Sequence, residues 1–164
     1  MSDSLKNEIL EMLENDAKTT VEDMAAMTGA AAADVKKAVE KLESDKVIVK
    51  YAAIINREKT KTEEAEALIE VKVVPKRGLG YDDLAERIYN FDEVKSVYLM
   101  SGTYDLAVII RAQNMKQISQ FVFEKLAVLD GVASTVTHFI MRKYKELGVV
   151  MTEKEEKERL VISP

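Results

Sequence analysis

The sequence predicts an α+β protein built from an N-terminal winged helix-turn-helix and a C-terminal ferredoxin-like βαββαβ domain. Two observations lead to this fold class. Apolar residues recur at helical spacing through the first part of the chain, whereas later apolar runs alternate between strand-like and helix-like segments. A stretch without apolar residues, 56–64, separates the two patterns. We therefore assign 1–55 to the helix-turn-helix, 56–64 to a linker, 65–147 to the ferredoxin-like domain and 148–164 to a charged tail.

The composition excludes several classes of protein. The chain has 164 residues, 47% of them hydrophobic and 32% charged, which is typical of a globular protein. No run approaches the roughly 18 apolar residues of a membrane span, and no signal-peptide pattern begins the chain, so we expect a cytoplasmic protein without a membrane partner. With no cysteine and one histidine, we expect no metal site, no cofactor and no catalytic residues.

The N-terminal part predicts three short helices. The first covers the apolar positions between Leu5 and Leu13. Thr20 is suited to cap the second helix, with Asp23 in its first turn, and Gly29 is suited to the left-handed turn that ends it. The third helix runs from about Ala32 to Ser44. Two helices that meet at a glycine-containing turn predict a helix-turn-helix.

Two β-prone runs, 47–49 and 51–55, follow the third helix. They predict either a small wing hairpin or one strand that leads out of the domain.

Strands and helices alternate after the linker. We expect strands at 67–74, 94–100, 106–111 and 132–144, a helix at 81–89, a second helix through 118–126 and a loop at 75–80. The tail begins with a capping box, Thr152 to Glu155, and predicts a charged terminal helix.

The ferredoxin-like fold leaves one face of its sheet without helices. More apolar strand residues are present than two helices can cover, which indicates packing against a second copy in a homodimer. The residues that suggest this are Leu68, Val97, Leu99, Val108, Ile110, Phe139 and Met141.

Three segments resemble the Lrp/AsnC family of feast/famine regulators. The first is Leu42-Glu43 with Val47-Ile48 and the exit 51–56; the second is the Gly-x-Tyr-Asp run within 101–106; the third is the strand 131–139. The resemblance covers about residues 5 to 145 and implies a dimer or a higher oligomer, commonly an octamer. It also implies that an amino acid or related small molecule binds between C-terminal domains of adjacent dimers, where the Gly-x-Tyr-Asp turn lies.

The effector-binding residues that we predict lie in this turn and in the fourth strand. Gly102 would let backbone N–H groups approach a ligand carboxylate, and Asp105 would accept hydrogen bonds from its ammonium group. The alternative is that both residues only shape a hairpin. The full set is Ser101, Gly102, Thr103, Tyr104, Asp105, Thr135 and Thr137.

We expect the third helix to enter the major groove of double-stranded DNA. Its lysines would contact phosphates, and its alanines would permit close approach to bases. The predicted DNA-binding residues are Thr20, Ala32, Ala33, Lys36, Lys37 and Lys41. This helix departs from the family, which commonly has arginines here and a Ser-Pro-like start.

The charge balance leaves other functions open. Residues 1–50 hold seven lysines and eleven acidic residues, a net charge of −4, which is unfavourable beside phosphate. The leading hypothesis is a DNA-binding transcriptional regulator that responds to an amino acid. Its main alternative is an oligomeric metabolite-sensing or interaction module that does not bind DNA. Haem-pathway decarboxylases look similar in design, but His138 as the only histidine and few basic pocket candidates disfavour an enzyme.

Overall fold

The computed structural model describes residues 3–61, 63–74 and 80–152. The chain divides into two compact units between Ile54 and Ile55, here called the helical unit and the sheet unit. The described elements of the helical unit are α1 (Asp3–Asn15), α2 (Val21–Thr28) and α3 (Ala32–Ser44). Those of the sheet unit are a 3-10 helix (Arg57–Lys59), β1 (Ala65–Val73), α4 (Tyr81–Tyr89), β2 (Val94–Leu99), β3 (Leu106–Ala112), α5 (Met115–Phe121), a π-helical turn (Val122–Leu126), β4 (Val132–Phe139), β5 (Lys145–Glu146) and β6 (Val149–Val150).

The helical unit packs its three helices around a small apolar core. The buried side chains come from all three helices: Ile9, Met24, Val35, Ala38 and Leu42. Thr20 caps α2 as predicted, since its Oγ1 accepts a hydrogen bond from the Asp23 N–H at 3.1 Å. Gly29 ends α2 with φ +69°, a left-handed conformation in which glycine pays no Cβ penalty. The predicted helix-turn-helix layout is therefore present.

The predicted wing does not form. Residues 47–49 and 51–55 contain no strand. Only Lys50 separates the two β-prone runs, which leaves no room for a hairpin turn, and a lone hairpin is marginal in water. Val47 and Val49 are exposed instead, at 55% and 79%.

The sheet unit has the predicted ferredoxin-like topology, which confirms the α+β fold class. Its four long strands are antiparallel in the order β2-β3-β1-β4. Helix α4, helix α5 and the π-helical turn cover one face, and Leu84, Ile88, Ile118 and Leu126 pack there in one cluster with apolar residues of the two central strands, β1 and β3. This face contains the main core of the unit.

The face without helices, here called the open face, was assigned wrongly in part. Val97, Val108, Ile110 and Phe139 were expected there, but Val108 and Ile110 are fully buried in the core, and Val97 and Phe139 pack against it. Leu99 was also expected there, but it pairs with the core residue Leu106 and shares its side of the sheet. The register explains this, because Val108 lies opposite Ile69, which points toward the helices. Leu68 lies opposite Ile109, and these two occupy the open face.

The fourth strand is shorter than predicted. It ends at Phe139 rather than at 144, because its ladder partner β1 begins at Ala65 and offers few residues beyond the pair Ala67–Phe139. The chain then forms the β5–β6 hairpin, which the sequence did not suggest. The predicted tail from 148 thus starts inside this hairpin. Residues 153–164, including Glu155 of the predicted capping box, lie outside the described residues.

Candidate functional site

Helix α3 presents five of the six predicted DNA-contacting residues on its exposed surface, all except Thr20. Val35, Ala38 and Leu42 face the core, so the helical repeat places Ala33 and Lys37 on the opposite side. Ala31 supplies no side-chain cap for α3, and the first turn of the helix carries the acidic Asp34. The backbone N–H groups of that turn are suited to a phosphate, whereas the Asp34 carboxylate repels one.

The three lysines of α3 differ in their ion pairs. Lys36 lies 4.0 Å from Glu40, and Lys41 lies 3.2 Å from Asp45, both with exposed side chains. Lys37 makes no ion pair with any residue in the ranges that the structure describes. Exposed pairs of this kind are weak, and a phosphate can replace the carboxylate at little cost.

Thr20 has a structural task that the DNA-contact hypothesis did not include. Its hydroxyl donates to Asp23 Oδ2 at 2.7 Å while it accepts from the Asp23 N–H. The hydroxyl is therefore engaged within α2. A contact between Thr20 and DNA stays a prediction, and it would use the backbone more readily than the hydroxyl.

The turn 101–105 is fastened to β1 by Asp105. Its Oδ2 accepts a hydrogen bond from the Val73 N–H at 2.8 Å and lies 3.1 Å from Lys72 Nζ, while its own N–H donates to Val71 O. The Val73 N–H is the main cause that lowers the pKa of Asp105, and Lys72 adds to it. The carboxylate is thus ionised and already paired, so a ligand ammonium group would have to share it with Lys72.

Gly102 is not required by the turn itself. Its φ is outside the left-handed region, and a Cβ added there meets nothing within 4 Å. Hairpin geometry alone therefore does not account for a glycine. An exposed backbone without a side chain can be approached closely by a ligand or a second chain.

The predicted effector residues gather at one end of the sheet. Asp105 contacts β1 at Val71 and Val73 from one side, and Thr135 pairs with Val71 from the other. Thr137 lies two residues farther along β4, opposite Ile69. Both threonines are partly buried and share the side of the sheet that the helices cover. The turn and the start of β4 therefore flank the same end of β1.

A charged cluster at the other end of the sheet was not predicted from the sequence. Glu66 lies 3.0 Å from Arg111 Nη2 and 2.6 Å from Lys143 Nζ, and its side chain is only 14% exposed. Partial burial raises the pKa of Glu66, but hydrogen bonds from Lys143 and Arg111 outweigh this and lower the pKa overall. Glu66 and Arg111 are register partners in β1 and β3. Only a correct strand register could have revealed the pair.

The open face carries a shallow cavity of about 500 Å³ between the strands and residues 140–146. Cations and aromatic rings line much of it, among them Lys95, Tyr98, Arg111, Arg142 and Tyr144. His138 lies on the same face, with Nε2 3.4 Å from Glu70 Oε1. Within the described ranges, no group of three His, Asp or Glu side chains is arranged to hold a metal ion. No described helix is long and apolar enough to cross a bilayer.

Comparison with known proteins identifies the family. The family model described as the Lrp/AsnC ligand binding domain matches residues 66–150. The chain is also 48% identical to the HTH-type transcriptional regulator YugG of Bacillus subtilis over 160 residues, which is 97% of this chain and 96% of that protein. The chain belongs to the Lrp/AsnC family. This confirms the resemblance drawn from the three sequence segments.

More distant relatives match most of the chain. The HTH-type transcriptional regulator FL11 of Pyrococcus horikoshii is 31% identical over 144 residues, covering 88% of this chain and 92% of its own. The feast or famine regulatory protein Rv3291c of M. tuberculosis, solved with L-methionine, superposes with a TM-score of 0.72 at 22% identity, covering 88% of this chain and 95% of that one. This structural likeness shows the common fold.

Proposed function

We propose that this Lrp/AsnC protein is a DNA-binding transcriptional regulator, not an enzyme, whose assembly responds to an amino acid. It acts in the cytoplasm as a homodimer or a higher oligomer. The observation that supports this most is the exposed face of α3, whose three lysines make weak ion pairs or, within the described residues, none. The family relatives named as HTH-type transcriptional regulators support the same function.

DNA contact by α3 must overcome a local excess of acid. The net charge of −4 over residues 1–50 would repel phosphate, but Lys36, Lys37 and Lys41 extend from the helix surface into solvent. A dimer that presents two such helices gains affinity from simultaneous contact with two half-sites. Paired helices can therefore compensate for few cations per helix.

The first experiment measures binding of the protein to its own promoter region and to unrelated DNA by fluorescence anisotropy across a salt series. We expect a complex with the promoter fragment that is at least about tenfold tighter and weakens as salt rises. Absence of binding at low salt would overturn the regulator hypothesis. It would favour the metabolite-sensing module that does not bind DNA, which the acidic balance of residues 1–50 also supports.

For the effector, we propose an amino acid held at the end of the sheet where Gly102, Asp105 and Thr135 lie. Exposed backbone at Gly102 suits a ligand carboxylate, and the paired Lys72–Asp105 charges offer a second anchor for a zwitterion. That Rv3291c was solved with L-methionine supports an amino acid as the ligand class. A neighbouring dimer would close the site, as the family resemblance implies.

Calorimetric titration with a panel of amino acids tests this site. We expect one or a few to bind the wild type and the Gly102→Val variant to lose at least about tenfold in affinity, since the added side chain occupies the space the ligand needs. Gln120→Ala, an exposed change on α5, is the control. Equal affinity of Gly102→Val and wild type would place the ligand elsewhere.

For assembly, we propose that the open face packs against a second copy. Tyr98 and Val136 are exposed at 54% and 51%, and Leu68 and Ile109 lie beside them half-buried. Light scattering of Val136→Glu should show dissociation, because a buried unpaired charge opposes the interface. Val128→Glu changes an apolar residue that is 67% exposed beyond the π-helical turn, and should keep the dimer. An unaltered mass for Val136→Glu would contradict this interface.

A further inference from the structure

The linker is more ordered than its composition suggests. Asn56 caps the 3-10 helix, since its Oδ1 accepts from the Glu58 N–H at 3.1 Å. Its Nδ2 donates to the backbone oxygen of Met151 at 2.7 Å, across 95 positions of sequence. One side chain thus shapes the start of the linker and ties it to the far end of the described chain.

The segment that receives this bond is residues 140–151, here called the strap. It follows β4 and is held to β1 by the Ile140 N–H, which donates to Glu66 O at 2.9 Å, and by the ion pair between Lys143 and Glu66. The strap then turns through the β5–β6 hairpin, and the Met151 N–H returns to Tyr144 O at 3.0 Å. The Met151 side chain is 9% exposed. The strap therefore offers Asn56 a fixed partner.

Ion pairs fasten the linker on either side of this bond. Arg142 of the strap lies 3.5 Å from Glu58. Arg57 lies 3.4 Å from Glu64, which also lies 3.8 Å from Arg111 of β3. Each exposed pair contributes little alone. Together with the Asn56 hydrogen bond, they restrain the linker at several points along its length.

We propose that the strap is a clamp on the linker, and that Asn56 and Glu58 are positioning residues that fix where the chain leaves the sheet unit. This inference rests in part on the proposed function, since the purpose of the clamp is to restrict the DNA-binding unit. A free linker of the length of 56–64 would span roughly 17 Å as a flexible coil. Restraining it raises the effective concentration of the second helix-turn-helix at a paired DNA site.

The Asn56→Asp variant removes the hydrogen bond to Met151 and keeps the cap of the 3-10 helix. The aspartate keeps an oxygen that accepts from the Glu58 N–H, but it replaces the donor to Met151 with a second oxygen that faces a carbonyl oxygen. The fold should be retained, because Asn56 is only partly buried at the surface. The matched control is Glu63→Gln, a linker carboxylate without an ion-pair partner in the described part of the chain.

Limited trypsin digestion, followed by mass spectrometry, measures how readily the linker opens. Trypsin cuts after Arg57, Lys59 and Lys61, and its rate follows the population of opened linker. We expect Asn56→Asp to be cut in this segment about five- to tenfold faster than wild type, in line with the loss of one hydrogen bond, and Glu63→Gln to be unchanged. Equal rates for Asn56→Asp and wild type would overturn the clamp.

DNA binding tests the purpose of the clamp separately. Asn56→Asp should weaken binding to a fragment with two half-sites about three- to tenfold, and should leave binding to a single half-site unchanged. Faster cleavage without any change in two-site affinity would overturn the proposed purpose. If the wild type binds no DNA, the regulator function and this purpose fail together, whereas the clamp is still decided by the digestion.

Discussion

The helical unit and the sheet unit use their charges differently. Among described residues 3–54, the ion pairs join residues three or four positions apart on one helix or at its end, such as Lys36–Glu40 and Lys41–Asp45. In the sheet unit, pairs such as Glu66–Arg111 and Lys72–Asp105 join distant parts of the chain. Charges of the first kind add little to stability and remain accessible to a ligand. Charges of the second kind hold the tertiary structure.

The two units also differ in their cores. The buried cluster of the helical unit consists of five residues, Ile9 among them, whereas that of the sheet unit extends over β1, β3 and the covering helices. A small core leaves a narrow margin of stability. We therefore expect the helical unit to unfold first, and the sheet unit to persist.

The largest expected effect comes from Ile9→Ala. Truncating this fully buried side chain should destabilise the helical unit by about 2–4 kcal/mol. Hydrogen exchange read by mass spectrometry should then show lost protection in residues 3–54 only. Met27→Ala is the control, because Met27 is 69% exposed. Equal loss of protection in both units would contradict their independence.

Glu66→Gln should destabilise the sheet unit by about 1–2 kcal/mol. The amide cannot satisfy both Arg111 and Lys143 as the carboxylate does, and these cations are themselves partly buried. Thermal melting checks this. Glu70→Gln, which alters a more exposed carboxylate beside His138, should change the melting temperature less. The reverse order would show that Glu66 does not anchor the sheet.

Thr20→Ala tests the cap of α2 and should cost the helical unit about 1 kcal/mol. The hydroxyl that accepts from the Asp23 N–H is lost. Thr20→Ser keeps an oxygen in the same place and should retain most of the stability. Chemical denaturation followed by circular dichroism distinguishes the two variants, and a serine variant as unstable as the alanine variant would exclude capping as the cause.

The smallest effect is the response to mild acid. The pKa of Glu66 is lowered from 4.5 in the folded protein, so its contribution to stability is fully present above that value and is lost as pH falls through the folded pKa. The difference in melting temperature between wild type and Glu66→Gln should therefore narrow below pH 4.5. A difference that stays constant down to pH 3 would contradict this linkage.

The sequence predicts the structure of the helical unit better than that of the sheet unit. Helical periodicity, the Thr20 cap and Gly29 gave the helix-turn-helix, because each signal is local. The open face was assigned wrongly at five positions, since period-two alternation does not tell which face the helices cover without the strand register. These positions are Val97, Leu99, Val108, Ile110 and Phe139. The Glu66 cluster and the Asn56–Met151 hydrogen bond were also not predicted from the sequence. They join residues that are far apart in sequence, and only folding brings them together.

We propose above all that the lysines of α3 bind DNA phosphates. The most direct test compares the salt dependence of promoter binding for wild type, for Lys36→Gln/Lys37→Gln/Lys41→Gln, and for a charge-matched control, Lys116→Gln/Lys154→Gln/Lys157→Gln. We expect the α3 variant to bind more weakly and its slope of log affinity against log salt to fall by roughly 2 to 3 for each α3 that contacts DNA, while the control keeps the wild-type slope. Identical slopes for all three proteins would contradict DNA binding through α3.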